Sequence, residues 1–101
     1  MSKSIERMVI ERAIELLKQG WTDGPLAIDA KGRAVSPWSE KAVAWCAWGS
    51  LQRAALEVTG KVNLRLVDKI EAGFVKNVVR VNEFEGKSAV LRVMRKRLKM
   101  L

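Results

Sequence analysis

The chain has 101 residues, which is enough for one domain and too few for two. Basic residues outnumber acidic residues by 19 to 11, so the formal net charge is +8. There is no histidine and only one cysteine, Cys46, which excludes His-dependent nucleophiles, zinc clusters and an internal disulfide. We therefore expect a non-enzymatic domain spanning residues 1–101, without metal or cofactor, in a reducing cytoplasmic compartment.

Residues 4–19 have the apolar spacing of an amphipathic helix. Ser4 is placed to cap this helix, and Gly20 is placed to end it. Charged residues interrupt the apolar ones, so the segment has no signal-peptide core. The longest apolar run, residues 42–48, is far shorter than the roughly 20 residues that span a membrane. The sequence therefore predicts no signal peptide and no membrane span.

Residues 20–38 contain several turn-forming glycines and prolines together with recurring apolar side chains. This composition predicts an ordered, Trp-containing loop packed on the helices. A short hairpin around residues 30–33, with Asp29 at its start, is an alternative for part of the loop. Core positions are expected for Trp21 and Trp45, whereas Trp38 and Trp48 are candidates for an interface.

A second helix is predicted from Ser36-Pro37 to Thr59-Gly60, because serine suits the cap and proline the first helical position. Its residues from 42 to 56 are apolar or small on almost every side, which indicates a central, buried helix. A third, shorter helix would begin after Asn63 and stop near Gly73. The segment that follows, near 77–81, is either extended or a last irregular helical turn.

A final helix, capped by Ser88, is predicted over residues 88–101. The fold class is therefore all-α, a single compact domain of about four helices. Residues 87–101 hold six basic residues and no acidic residue, which places +6 of the net charge of +8 in this segment. Four of these bases fall within about 100° on the helical wheel. They are the candidate nucleic-acid-binding residues: Arg92, Arg95, Lys96 and Lys99.

Three interpretations of this basic stripe remain open. Aligned lysines and arginines can bind nucleic acid phosphates without reading sequence. They can also contact an acidic protein or an anionic membrane surface. A solvated face is the third interpretation, since bases suit the C-terminus of a helix dipole. The leading hypothesis is a binding module for nucleic acid. The alternative is a protein-interaction module that contacts an acidic partner surface or forms a homodimer through the apolar side of the last helix.

Other motifs carry less weight. Gly86-Lys87-Ser88 resembles the end of a phosphate-binding loop, but Val81 stands where the pattern requires glycine. Cys46 lies in the most apolar segment and is expected to be a small buried residue. Carboxylates in the loop, such as Asp23, more often stabilise turns than catalyse reactions. No catalytic residue and no metal ligand are predicted.

The centre of the chain contains an uncommon combination of motifs. A Gly-Trp pair and an Asp-Ala-x-Gly turn precede a Trp-Cys-x-x-Gly segment, and an asparagine follows further along the chain. The residues concerned are Gly20, Trp21, Asp29, Gly32, Trp45, Cys46, Gly49 and Asn82.

This pattern resembles a family of small bacterial and phage proteins that is known as a domain of unknown function. The chain departs from the family pattern at two positions: Glu83 follows Asn82 in place of aspartate, and Ser50 replaces alanine. The resemblance implies a compact helical domain in which the Gly-Trp loop folds onto the Trp-Cys helix. It implies no activity, and the phage members make a role in modulating a host complex conceivable by association only.

Overall fold

The structure is a computed structural model that describes residues 4–101, which form five helices and a small antiparallel sheet. The elements in chain order are α1 (Ile5–Gln19), β1 (Ala27–Ile28), β2 (Ala34–Val35), β3 (Ala44–Trp45), α2 (Ala47–Thr59), α3 (Leu64–Ala72), α4 (Val78–Phe84) and α5 (Lys87–Met100). The fold is thus predominantly helical. The prediction of an all-α domain with about four helices was wrong in detail, because a sheet and a fifth helix are present.

Helix α1 begins as the sequence predicts. The Oγ atom of Ser4 accepts a hydrogen bond from the backbone N–H of Arg7 at 3.1 Å. One face of the helix is buried, including Val9, Ile10 and Leu17. Gly20 follows the helix in an extended conformation, with φ −170°, so it is not the left-handed cap that its position suggested. Gly20 is needed for a different reason: a Cβ atom there would overlap the carbonyl oxygen of Val43.

The loop between α1 and α2 forms the sheet, whose strand order is β2-β1-β3. Strands β1 and β2 form the hairpin that the sequence offered as an alternative for this loop. Strand β3 pairs with β1, opposing Trp45 to Ala27 and Ala44 to Ile28. This pairing explains why the helix predicted from Ser36-Pro37 begins only at Ala47: residues immediately before it are extended, because they are hydrogen-bonded to the sheet.

Helix α2 is the centre of the fold, as predicted. Ala47, Leu51, Ala54 and Ala55 are completely buried, and the helix packs mainly on α1. Small side chains on this face let the two helices approach closely. Gly60 ends α2 with a φ of +80°, the left-handed conformation that glycine adopts without strain.

Two of the last three helices begin at an asparagine cap. The side chain of Asn63 caps α3 by accepting from the N–H of Leu66, as predicted. Asn77 caps α4 in the same way, so the segment near 77–81 is helical and not extended. Ser88 does not cap α5, which already begins at Lys87 after Gly86.

Two arginines join the start of α1 to the end of α5. The Arg7 guanidinium donates to the carbonyl oxygens of Leu98 and Leu101 at 3.1 and 2.8 Å. The guanidinium of Arg97 pairs with the carboxylate of Glu6, with 2.9 Å between Nε and Oε2. These contacts, with the buried apolar side of α5, fix the orientation of the helix and expose its opposite side.

Candidate functional site

The exposed side of α5 carries the four basic residues that the sequence singles out. Arg92, Arg95, Lys96 and Lys99 are all exposed. Among the side-chain hydrogen bonds and ion pairs within residues 4–101, none involves these four. Their opposite neighbours Val90 and Met94 are completely buried. The helix thus holds four cations toward solvent, and none of them forms an ion pair with a carboxylate within residues 4–101.

Three of the four bases line two separate grooves, and Lys99 lies outside both. Arg95 lines a groove of about 670 Å³ between α5 and α1, together with the carboxylates of Glu11 and Glu15. Arg92 and Lys96 lie on the other side of α5, which faces α4. The positive charge is therefore less screened by acidic groups on the α4 side.

On the α4 side a third segment adds another cation. Lys76, in the linker between α3 and α4, lines the same cavity of about 210 Å³ as Arg92 and Lys96. The cavity is called the basic groove here, and its lining residues are Val75, Lys76, Val81, Glu85, Ala89, Arg92, Val93 and Lys96. Three cations against one carboxylate give the lining a net charge of +2. Arg92 and Lys96 come together by their i,i+4 spacing, whereas no sequence pattern indicated Lys76.

Arg97 belongs to the same basic segment but has a structural role. Its hydrogen bond to the Glu6 carboxylate raises the pKa of the guanidinium above the ordinary value. Its side chain also lies against Gly73, where a Cβ atom would be only 3.1 Å from the guanidinium carbon. The charge of Arg97 is therefore paired within the fold, and Arg97 is not one of the four residues of the basic stripe.

The residues of the Trp-Cys motif occupy a separate region around the sheet and the start of α2. Trp45 is buried and its backbone N–H donates to the carbonyl of Gly20 at 3.1 Å. Its indole Nε1 donates to the carbonyl of Pro37, also at 3.1 Å. Trp21 is half-buried and forms a backbone bridge with Trp45. The Gly-Trp loop is thus tied to β3 by the main chain.

Asp29 and Gly32 form the hairpin turn. One carboxylate oxygen of Asp29 accepts from the backbone N–H groups of Lys31 and Arg33, and the other accepts from the Arg33 guanidinium, each at 2.9 Å. The hydrogen bond from the Arg33 backbone is the largest cause of a pKa for Asp29 below the ordinary value. Gly32 has a φ of +78°, which suits glycine in a tight turn. Both residues are therefore explained by the turn.

Cys46 and Gly49 shape the start of α2. The thiol of Cys46 caps the helix by accepting from the N–H of Gly49, with 3.3 Å between sulfur and nitrogen. Burial raises the pKa of this thiol, which opposes the thiolate form that nucleophilic chemistry needs. At Gly49 a Cβ atom would overlap the carbonyl oxygen of Leu26. Close contact between the loop and α2 therefore requires glycine here.

Asn82 connects these parts from α4. It is 4% exposed, and its Oδ1 atom accepts from Nε1 of Trp21 and from the backbone N–H of Ala47, each at 2.8 Å. Its Nδ2 atom donates to the carbonyl of Thr22 at 3.4 Å. The amide thus joins the Gly-Trp loop, the first residue of α2 and helix α4. The contacts of the eight motif residues therefore give each of them a structural role in the fold.

A small cavity lies beside the motif residues. It has a volume of about 290 Å³ and is lined by Cys46, Asn82 and Trp48, with the carboxylates of Asp23 and Glu83 also among its lining. Trp48 and Trp38 are half-buried, and their indole nitrogens have no hydrogen-bond partner within residues 4–101. The side chains of Asn82 and Cys46 form their hydrogen bonds with other residues of the fold.

Comparisons of this chain with protein-family models, with curated proteins and with solved structures found no match. The family resemblance seen in the sequence therefore stays a prediction. No helix within residues 4–101 combines the length and apolar character that crossing a bilayer requires.

Proposed function

We propose that this chain binds nucleic acid through the phosphate backbone, without sequence preference. The surface concerned, called the basic surface below, comprises the three cations of the basic groove and two further residues of α5: Lys76, Arg92, Lys96, Arg95 and Lys99. The observation that supports the proposal is the convergence of Lys76, Arg92 and Lys96, from two separate segments, on one groove. Lysine and arginine contacts of this kind release counterions from the phosphate backbone and give no base readout.

The expected affinity follows from the number of cations. Non-specific binding of this type has a Kd of roughly 10⁻⁴ to 10⁻⁶ M at physiological salt. If all five cations contact duplex phosphates, a plot of the logarithm of the binding constant against the logarithm of the salt concentration has a slope of about −4.5. A slope of this size distinguishes phosphate binding from an apolar contact, which salt weakens little.

The experiment is a salt titration with labelled oligonucleotides of mixed sequence, followed by fluorescence anisotropy. A variant in which Arg92, Arg95, Lys96 and Lys99 are all replaced by glutamine should lose binding and keep its melting temperature within a few degrees. The matched control replaces four exposed bases outside the basic surface: Lys31, Lys41, Lys61 and Arg65. Binding that survives the first variant, or is lost equally in both, would contradict the proposal.

A protein-interaction module is the second candidate, and a different surface supports it. The groove between α1 and α5 has apolar lining from Met8, Ile14 and Leu98, with bases and acids around it. Met100, two residues after Leu98, is 59% exposed. Apolar lining with charges of both signs suits a second copy of the chain. Sedimentation of wild type and Met8→Glu tests this: a dimer that the substitution dissociates, together with no binding to nucleic acid, would favour the second candidate.

A further inference from the structure

Phe84 is the most exposed large hydrophobic side chain among residues 4–101. Its exposed fraction is 71%, whereas the side chains that form the core of the fold are almost fully buried. It lies at the last position of α4, which contributes Val78, Val81 and Asn82 to the interior. Since so little of the ring is covered, packing within the fold does not explain a phenylalanine here. Phe84 therefore needs an explanation outside the fold.

Its position on α4 places Phe84 beside the basic groove. Val81 lines the groove, and Phe84 follows it by three residues, which is about 60° around the helix on the same side. Glu85, the next residue in the chain, also lines the groove. Glu83, by contrast, lines the cavity on the other side of the helix. The aromatic ring thus flanks the side of α4 that faces α5.

Basic residues lie on both sides of this ring. Arg80 precedes Phe84 by four residues, so it is the neighbour on the same face of α4, and it is exposed. On the other side of the ring, Lys76, Arg92 and Lys96 line the basic groove. Within the groove, Val75 is 51% exposed and adds apolar surface next to the Lys76 ammonium. Exposed apolar groups therefore alternate with cations along this part of the surface, which also carries the exposed carboxylates of Glu83 and Glu85 on either side of Phe84.

Such alternation distinguishes single-stranded from double-stranded nucleic acid. In a duplex the faces of the bases are stacked on one another, so that an aromatic ring on a protein surface meets only sugar and phosphate. In a single strand the base faces are free, and they stack on aromatic side chains while the phosphates follow a basic groove. A duplex would offer Phe84 and Val75 no free base face to contact.

We infer that the basic surface takes single-stranded nucleic acid, with one base stacked on Phe84 and the adjoining phosphates bound by Lys76, Arg92 and Lys96. This inference rests on the proposed function and names its substrate class. Removing an aromatic ring on which a base stacks typically lowers the affinity by about 5-fold to 150-fold. Stacking on Phe84 gives this gain for a strand and none for a duplex.

The test compares oligo-dT, oligo-U and the oligo-dT·oligo-dA duplex by fluorescence anisotropy at one salt concentration. Wild type should bind either strand more tightly than the duplex. Phe84→Ala should lower the affinity for both strands by about 10-fold and leave duplex affinity unchanged. Phe84→Tyr should restore strand binding. The matched control is Val62→Ala, which removes an equally accessible apolar side chain, 50% exposed, from the segment between α2 and α3.

Each outcome decides between the two claims. Equal affinity of wild type and Phe84→Ala for the strands would overturn the single-strand inference and leave the proposed function standing. An equal loss on strand and duplex would also overturn it. Absence of binding to all three nucleic acids, with the wild type folded, would overturn the proposed function and the inference together.

Discussion

The side-chain oxygen of Asn82 lies 2.8 Å from Nε1 of Trp21, although 61 residues separate the two in sequence. The same oxygen accepts from the backbone N–H of Ala47, so one amide holds together the loop after α1, the start of α2 and helix α4. An N–H group in the interior that loses its acceptor costs about 1–3 kcal/mol. The stability of this region therefore depends on Asn82 more than its small size suggests.

Replacing Asn82 by leucine should lower the free energy of unfolding by about 2–6 kcal/mol, because two N–H groups lose their acceptor at once. Urea denaturation of the purified variant measures this. Asn77→Ala is the matched comparison, since Asn77 is an exposed helix cap whose loss costs about 1 kcal/mol. A loss at Asn82 no larger than the loss at Asn77 would contradict the assignment.

Gly49→Ala should be strongly destabilising, by at least about 2 kcal/mol, because the added Cβ overlaps the carbonyl oxygen of Leu26 and separates the loop from α2. Gly24→Ala is the control: no atom lies within 4 Å of a Cβ placed there. It should be neutral or slightly stabilising, since alanine restricts the unfolded chain. Thermal melts of the two variants should therefore shift in clearly different ways, and similar shifts would argue against the close approach.

Cys46→Ser should keep the stability of the wild type within about 0.5 kcal/mol, because a hydroxyl oxygen can accept from the N–H of Gly49 as the sulfur does. Cys46→Ala removes the cap and should cost about 1 kcal/mol. Denaturation curves of the three proteins provide the measurement. If alanine is tolerated as well as serine, the thiol is not acting as a cap.

Stability should fall at acid pH through Asp29. Hydrogen bonds from Arg33 and Lys31 lower its pKa below the ordinary value of 3.8, so the folded state holds the carboxylate ionised more readily than the unfolded state does. A group of this kind stabilises the fold above its unfolded pKa, and the contribution is lost as the pH falls from that value through the folded pKa. Asp29→Asn should therefore lower the melting temperature near neutral pH and reduce its acid dependence. The measurement is the melting temperature of variant and wild type as a function of pH between 3 and 7. If the two melting temperatures change with pH by the same amount, Asp29 contributes nothing to this dependence.

Two arginines of α5 offer a test in which the charge change is identical. Arg92→Gln should weaken binding and lower the magnitude of the salt slope by about 1, since one phosphate contact is lost. Arg97→Gln should leave binding nearly unchanged and lower stability instead, because this guanidinium pairs with Glu6. Anisotropy and thermal melts on both variants separate the two roles. A common effect on binding would mean that only the net charge of the helix matters.

The sequence predicted those parts of the fold that depend on neighbouring residues. Ser4 and Asn63 cap their helices as expected, because a cap is recognised from a few residues around it. The hairpin after Asp29 follows from the same kind of local chemistry. The predicted start of α2 was wrong because residues 44–45 pair with a strand that lies 16 to 18 residues earlier. No pattern in the neighbouring residues indicates that pairing.

The candidate site was predictable to a similar extent. Arg92 and Lys96 share a face of one helix, so the helical period is enough to bring them together. Lys76 joins them only through the packing of α4 on α5, which involves a linker and two helices. Phe84 was not singled out either, because an apolar residue at the end of a helix is ordinarily assigned to the core until its exposure is known.

The contacts of Arg7 with the carbonyls of Leu98 and Leu101 have a consequence for the order of folding. They span 91 and 94 residues, and the pair of Glu6 with Arg97 spans 91, so each closes a loop that includes nearly all of the described chain. The entropic cost of closing a loop rises with its length. Contacts between residues that are far apart in sequence therefore tend to form after local helices and their nearby packing. We therefore expect the last turn of α5 to dock late and its amide hydrogens to exchange with solvent faster than those of α2. A surface that depends on this docking acquires its final charge arrangement only when the rest of the chain has folded.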